Sequence, residues 1–417
     1  MPDICILGAG PGGALAALHL ARAGQPCLLL DKATFPRDKI CGDALSGKVL
    51  AELRHLGGPL MGRLAAASLP NASNGIDFFA PNGRQLHIPF KPQRDPASPP
   101  DGYVVKRLDF DNLLVEEVRQ QPLIDFRENC EVARTERTAT GWLLFDKEGK
   151  ELAQCRLLLV ANGAQSAFVR QVVGRGLEPA HYCAGLRAYY RGVAGLDPSN
   201  FVELHFLPEL LPGYLWIFPL PNGEANVGVG MLSKDVARGH VNLREKFLHL
   251  LATHPAFRER FAQAEGVGPL RGWGLPLGSK RRVISGDNYL LLGDAASLID
   301  PFSGEGISHA MVSGRHAADW AGRALAADDC SAKFLQGYDT AVYRRLGQEL
   351  RLSTILQRLV RWPSIFNFVA NRAIHNPTLA ETLSQMFLDI DLRERLKQPK
   401  FYVQLLFGGQ KRTPLKS

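Results

Sequence analysis

Asp3 to Lys32 reads DICILGAGPGGALAALHLARAGQPCLLLDK, and this stretch sets the fold. Ile4 to Leu7 is a short apolar run of strand type, and it opens directly onto Gly8-Ala9-Gly10-Pro11-Gly12-Gly13. Alanine-rich helical sequence follows to Ala23, Gly24 stops it, and Cys27 to Leu30 forms a second buried strand ending on Asp31. In such a βαβ unit Gly8 makes the tight turn, Gly10 lets the backbone approach a pyrophosphate, and Gly13 packs the helix close on the strand. The helix N-terminus, from Pro11 and Gly12 onward, offers unpaired N–H groups and a positive dipole end. Asp31, with Lys32 beside it, stands where a ribose hydroxyl pair needs an acceptor. A purely structural βα turn is the competing reading. Strand, helix, second strand and terminal acid agree, so a dinucleotide site is expected.

The 417 residues are long for one core, so two or three domains are expected. Hydrophobic content of 46% with 22% charged residues is that of a soluble globular chain. No apolar run is long enough to span a bilayer, and the first strand leads straight into the glycine loop, so no cleaved leader is expected. The seven cysteines are scattered without a CxxC pair, which suits reduced thiols in a cytoplasm. No His or Cys cluster has metal-ligand spacing, and no metal site is expected.

The net charge of +8 is unevenly placed. From Arg344 to the end there are 13 Lys and Arg against 5 Asp and Glu, and the first 343 residues are balanced at 36 against 36. The asymmetry points this segment toward an anionic surface. Within it, Leu346, Leu350, Ile355, Leu356 and Leu359 fall near helical spacing among arginines, and Phe366, Phe368, Phe387, Phe401, Leu405, Leu406 and Phe407 follow. Core packing with a solvated basic face competes with a membrane-surface element. There is no recognisable nucleic-acid module.

After Asp31 the chain runs through Phe35-Pro36-Arg37-Asp38-Lys39-Ile40-Cys41-Gly42, and helical periodicity resumes from Gly47 to Leu56. The spacing Pro36-x-x-x-x-Cys41-Gly42 behind a GxGxxG unit resembles the geranylgeranyl reductase family of flavoproteins, which share the fold of the aromatic hydroxylases. The resemblance implies FAD as cofactor. It implies that Arg37, Cys41 and Gly42 run along the flavin, with Cys41 near the ring system. On packing grounds alone Cys41 is a small buried filler. In Arg107-x-x-Phe110-Asp111-x-x-Leu114 the resemblance gives Arg107 an FAD contact, where charge pattern alone reads a solvated helix start. Val132 joins the same implied set.

Further segments extend the resemblance in order. Gly293-Asp294-Ala295-Ala296 and Pro301-Phe302-Ser303-Gly304-Glu305-Gly306-Ile307 imply that Asp294 holds the ribityl chain and that Gly304, Gly306 and Ile307 face the flavin at a helix N-terminus. Related enzymes carry Asp-Gly where this chain has Asn162-Gly163. Asn supplies no carboxylate, so the nicotinamide role does not carry over to Asn162, and the electron donor is NAD(P)H or another reductant. Tyr214-x-Trp216-x-Phe218-Pro219 and Gly228-x-Gly230 match the reductases' YxWxFP element and its downstream GxG. Tyr214, Trp216 and Phe218 share one strand face, a wall suited to an apolar substrate, although a sandwich core has the same pattern.

The expected fold is α/β: a glutathione-reductase-like FAD-binding Rossmann domain (1–67, 101–175, 272–330) interleaved with a mixed-sheet substrate domain (68–100, 176–271), then a helical C-terminal region (331–417). The expected activity is reduction of carbon–carbon double bonds of an apolar, isoprenoid-type lipid, with Cys41, Tyr214 and Trp216 as the catalytic set. Tyr214, Trp216, Phe218, Pro219, Gly228 and Gly230 form the substrate set. A flavin monooxygenase is the alternative. Halogenation fits less well, because flavin halogenases carry WxWxIP at the aromatic element, and their FxxPxSxG is matched only by Pro301 and Ser303. A flavin-bound lipid carrier without turnover is the non-enzymatic alternative. Expected location is the cytoplasm, at the inner membrane face.

Overall fold

The computed structural model describes residues 2–68, 72–90 and 99–375. The apolar positions noted above beyond 375 therefore lie outside the described residues. Ile4–Leu7 lies with all four residues buried inside a six-stranded sheet. The order is Ser285–Gly286, Tyr289–Leu291, Leu157–Val160, Ile4–Leu7, Cys27–Leu30, Ile124–Arg127. All neighbours run parallel except the short pair Ser285–Gly286 and Tyr289–Leu291. Continuous apolar strands of this kind belong to a sheet covered on both faces.

Helix Pro11–Arg22 packs on this sheet and against helix Ile307–Ala326. The two helices touch backbone to backbone: a Cβ on Gly314 would stand 2.3 Å from the Gly12 carbonyl oxygen. Gly314 must therefore be glycine, and Gly12 sits tightly at the same crossing, where its own Cβ would stand 3.0 Å from the Ala310 carbonyl oxygen. The antiparallel strands Arg134–Arg137, Trp142–Phe145 and Glu151–Cys155 add Trp142, Leu144 and Cys155 to the same core.

The second sheet has seven strands, in the order Glu265–Pro276, Tyr182–Arg191, Glu224–Leu232, Tyr214–Pro219, Val202–His205, Gly75–Phe79, Gln85–Pro89. It is mixed, since Val202–His205 runs parallel to Gly75–Phe79 and the other pairs are antiparallel. Period-two alternation sorts its residues. Leu215 and Ile217 enter a core with Val227, Val229, Phe247 and Phe257, whereas Trp216 and Phe218 enter another with Phe78, Phe206 and Phe302.

A helix forms over Leu243–Thr253. Asn242 caps its start by accepting from the Glu245 N–H at 3.3 Å, and Pro255 stops it. The edge strand Ile124–Arg127 leaves the sheet after Arg127. Cys130 N–H then bonds the Asp31 carbonyl, 2.8 Å, which turns Cys130 to Ala133 toward the site. Beyond residue 330, helix Ala332–Leu359 is pinned to the first sheet by Tyr338 Oη donating to the Leu291 carbonyl, 2.7 Å, and by Ile284 N–H donating to Asp339, 2.9 Å. Helix Pro363–His375 follows.

Candidate active site

A cavity of about 790 Å³ lies between the two sheets, lined from the glycine loop at one end to Tyr214, Trp216 and Phe218 at the other. Two glycines of the loop are set by the protein itself. Gly8 has φ +96°, and a Cβ there would stand 2.6 Å from the Ala161 carbonyl oxygen; a Cβ on Gly13 would meet the Gly8 carbonyl oxygen at 1.8 Å. Gly10 differs: its nearest neighbour would be Arg37 Nη2 at 3.8 Å. Room is left at the N-terminus of a helix for an anionic group, as a dinucleotide's pyrophosphate requires.

Asp31 is buried and already engaged. Its carboxylate accepts from Ala9 N–H at 2.7 Å and Ala33 N–H at 2.8 Å, which ties the glycine loop to the segment after the second strand. Each oxygen keeps a further acceptor site toward the cavity that Asp31 and Lys32 line.

Asp111, fully buried, gathers two arginines. Arg107 reaches it in a fork, Nε to Oδ1 at 2.6 Å and Nη2 to Oδ2 at 2.8 Å, and Arg37 Nη1 joins at 2.6 Å. Burial opposes the Arg107 charge, but Asp111 and then the Cys41 thiol more than offset it, so its pKa is raised. Burial likewise opposes ionisation of Asp111, but the two arginines outweigh it and lower its pKa. Arg107 and Arg37 both line the cavity, and Asp111 fixes their direction.

A second buried network joins the Cys41 loop to the aromatic wall. Asn226 accepts the Trp216 indole N–H at 2.9 Å, and its own amide donates to the Cys41 carbonyl and to Asp43 Oδ2, both at 2.8 Å. Asp43 also accepts from Tyr189 Oη at 2.7 Å and from Arg107 N–H at 3.2 Å. It is wholly buried, and desolvation pushes its pKa up to about 6 against the pull of those hydrogen bonds. Arg187, buried, closes the network by bonding Asp38 at 2.8 and 2.9 Å and lying 4.2 Å from the Tyr189 ring centre. Sequence reasoning missed Asp43, Tyr189, Arg187 and Asn226. The signal for Asn226 was a polar residue inside an otherwise apolar strand.

Gly42 lines the cavity beneath two rings: a Cβ there would stand 2.8 Å from the Phe218 ring and 3.6 Å from Trp216 Nε1. Tyr214, Trp216 and Phe218 do share one face, with successive ring centres 6.2 and 6.4 Å apart. Tyr214 Oη donates to the Ser303 carbonyl, joining the wall to the loop Pro301–Ile307. That loop is shaped by Asp300, whose Oδ1 accepts from Phe302 N–H, Ser303 N–H and Ser303 Oγ at 2.7 to 2.9 Å. Gly304, Gly306 and Ile307 line the cavity at the start of helix Ile307–Ala326, with Asp294 beside them.

Val132 lines the cavity too. Gly13, Pro219, Gly228 and Gly230 are not among its lining residues. Gly228 serves from beneath: a Cβ there would meet the Trp216 ring at 2.1 Å, so only glycine admits the indole. Pro219 shares the strand parity of Leu215 and Ile217, away from the wall.

A glycine loop at a helix N-terminus, a carboxylate after the second strand, and a second helix N-terminus facing an aromatic wall define a flavin-dependent oxidoreductase. Residues 1–340 match the family described as FAD binding domain, and the chain belongs to that family. It is 33% identical over 324 residues, 76% of each chain, to the menaquinone reductase of Mycobacterium tuberculosis (strain ATCC 25618 / H37Rv). It is 28% identical to digeranylgeranylglycerophospholipid reductase 2 of Methanopyrus kandleri over 92% of this chain and 90% of that one. The fold of a geranylgeranyl bacteriochlorophyll reductase-like protein from Thermoplasma acidophilum superposes with a TM-score of 0.78 at 21% identity, covering 95% of this chain and 98% of the other. The flavin-dependent brominase Bmp2 follows the same fold, TM-score 0.73 at 22% identity, over 93% of both chains. The chain is an FAD-dependent oxidoreductase of the geranylgeranyl reductase type.

Proposed function

We propose that this protein reduces carbon–carbon double bonds of an apolar, isoprenoid-type lipid, drawing electrons from NAD(P)H or another reductant. The observation that carries this reading is the shared cavity: the dinucleotide loop, the Cys41 loop and the wall of Tyr214, Trp216 and Phe218 all line it. The named substrates of the relatives, a quinone and a digeranylgeranyl phospholipid, support it. Gly10, Asp31, Arg37, Arg107, Asp294 and the Gly304–Ile307 amides are the groups that would hold FAD. When bound, FAD supplies hydride from its reduced ring to one carbon of the double bond.

The protein's own task is to position an apolar chain, exclude water and tolerate the positive character that develops on the hydride-accepting carbon as a proton reaches the other carbon. The Trp216 N–H is committed to Asn226, which anchors the ring in the cavity wall. Aromatic faces stabilise cationic character by their quadrupole. Tyr214, whose pKa burial raises, stays neutral across the working pH range.

The test is to incubate reduced protein anaerobically with a lipid extract and follow products by mass spectrometry. Species heavier by two hydrogens are expected. Oxygenated or halogenated products formed after admitting oxygen would assign the chain to the monooxygenases instead, and failure of every donor to reduce the flavin would leave a lipid carrier.

Cys41 is the residue we place beside the flavin. Cys41→Ser is expected to retain FAD and thermal stability, because the Asn226 bond is to the Cys41 backbone carbonyl. Flavin reduction or turnover should fall by about tenfold, equivalent to ~1.4 kcal/mol at the transition state. Unchanged rates in both half-reactions make Cys41 a packing residue.

A lipid substrate is presented by a bilayer, so we further place the protein at the cytoplasmic membrane surface as a peripheral protein. Among the described residues no helix is long and apolar enough to cross a membrane.

A further inference from the structure

Among the described residues, ten large apolar side chains are exposed, and five of them fall within fourteen consecutive positions: Ile355, Leu359, Trp362, Ile365 and Phe368. The spacing of Ile355 and Leu359 places them on one face of helix Ala332–Leu359, and that of Ile365 and Phe368 does the same on helix Pro363–His375. Trp362 sits at the junction, 60% exposed. Scattered exposed apolar residues need no explanation, but a contiguous patch marks an interaction surface.

The charge that this segment itself carries is of one sign. From Leu350 to His375 there are four arginines, at 351, 358, 361 and 372, and no Asp or Glu. Arg361 is taken up by Asp235 at 2.8 and 3.1 Å, whereas Arg351, Arg358 and Arg372 stand exposed. Arg372 lies 5.5 Å from the Phe368 ring centre, so a cation rims the apolar surface directly. The inner side of the same element reaches the site. Leu356, Val360 and Phe366 pack into the cluster that holds Trp216, Phe218 and Phe302, with Phe366 and Phe206 ring centres 4.8 Å apart and Phe206 and Tyr214 5.4 Å apart.

We propose that the face formed by Ile355, Leu359, Trp362, Ile365 and Phe368 docks on an anionic lipid bilayer, inserting its apolar side chains shallowly while the exposed arginines meet the headgroups. An apolar patch rimmed by exposed arginines, on a segment that carries no acid of its own, complements an anionic lipid surface. This rests on the lipid-substrate reading and locates the entrance. The element at the bilayer is the one whose other side backs the aromatic wall, so a lipid would pass from the membrane to the cavity over a short apolar path.

The experiment uses the full chain with FAD bound and vesicles of equimolar phosphatidylglycerol and phosphatidylcholine. The protein is expected to co-sediment at low salt, less so at high salt, and weakly with phosphatidylcholine alone. The exposed pair Trp362→Ser, Phe368→Ser should lower partitioning more than about tenfold. Arg358→Gln with Arg372→Gln should lower it by roughly thirtyfold. Retained flavin absorbance reports that each variant is folded. Vesicle binding that is absent, or unchanged in both variants, overturns the proposal. So does a change in oligomeric size on light scattering without vesicle binding, which assigns the face to a second copy. Reduction of a short, water-soluble isoprenoid alcohol is followed in parallel and should persist in the variants. If vesicle binding stands while neither lipid nor alcohol is reduced, the substrate reading fails and the docking face survives.

Discussion

Gly10→Val yields a folded protein that has lost its yellow colour. The structure makes this variant informative because the protein itself leaves room at Gly10, where a Cβ would have only Arg37 Nη2 near it, 3.8 Å away. Its φ of −68° is one that any residue adopts. The branched side chain therefore displaces the ligand and not the fold, since it fills the space that a pyrophosphate takes at the helix N-terminus. Affinity for FAD should drop at least about a hundredfold, close to 3 kcal/mol. Gly13→Ala is the contrasting variant: its Cβ would meet the Gly8 carbonyl oxygen at 1.8 Å, so it disrupts the βαβ unit before any ligand is considered. Flavin content from the absorbance spectrum, read beside a thermal melt, separates the two. Full flavin occupancy in folded Gly10→Val would falsify the placement of the pyrophosphate.

The difference between those glycines also shows what could be read from the chain. Gly8, Gly10 and Gly13 announce themselves because each meets a local demand, a turn, an approach or a close packing, within six residues. The Tyr214, Trp216, Phe218 wall was legible for the same reason, as a period of two needs no knowledge of the partner strand. Gly12 was credited to the cofactor loop alone, yet it also packs against Gly314, three hundred positions on, a contact no local pattern encodes. Asp43, Tyr189 and Asn226 are the stronger case. Asp43 lies in a loop and the others on neighbouring strands, and none follows a motif; only the pairing of Tyr189 with Asn226 across two antiparallel strands brings them to one carboxylate. Arg107 was assigned to FAD from resemblance, and its fork onto Asp111 appears only once the helical turn is built.

Asn226 is the residue whose loss should cost most after the glycine loop. It satisfies three buried groups at once: the Trp216 N–H, the Cys41 carbonyl and Asp43. Asn226→Leu strands the indole N–H and the Cys41 carbonyl and takes one hydrogen bond from Asp43, which keeps those from Tyr189 and Arg107; each unsatisfied buried group costs about 1–3 kcal/mol, so a destabilisation of roughly 3 kcal/mol is expected. The Cys41 loop and Trp216 lose their common anchor, and turnover should fall about a hundredfold, the penalty for misplacing reacting groups by about 1 Å. Asn226→Asp separates geometry from charge, because it keeps an acceptor for the indole but sets a second carboxylate where the amide nitrogen stood 2.8 Å from Asp43. In the wild type, burial raises the Asp43 pKa from 3.8 to about 6. Its stability contribution is thus present below about pH 4 and is lost as pH rises through about 6, on the order of 3 kcal/mol in all. Two carboxylates that close cannot both ionise, so the pair in Asn226→Asp holds its shared proton to higher pH. Asn226→Asp should approach wild-type stability at about pH 5, fall away from it above neutrality, and shift any pH inflection of flavin reduction upward. Thermal melts and stopped-flow reduction across that range are the measurement. A pH profile identical to wild type would mean that Asn226 does not govern the Asp43 charge and that the link from the Cys41 loop to the aromatic wall is geometric alone.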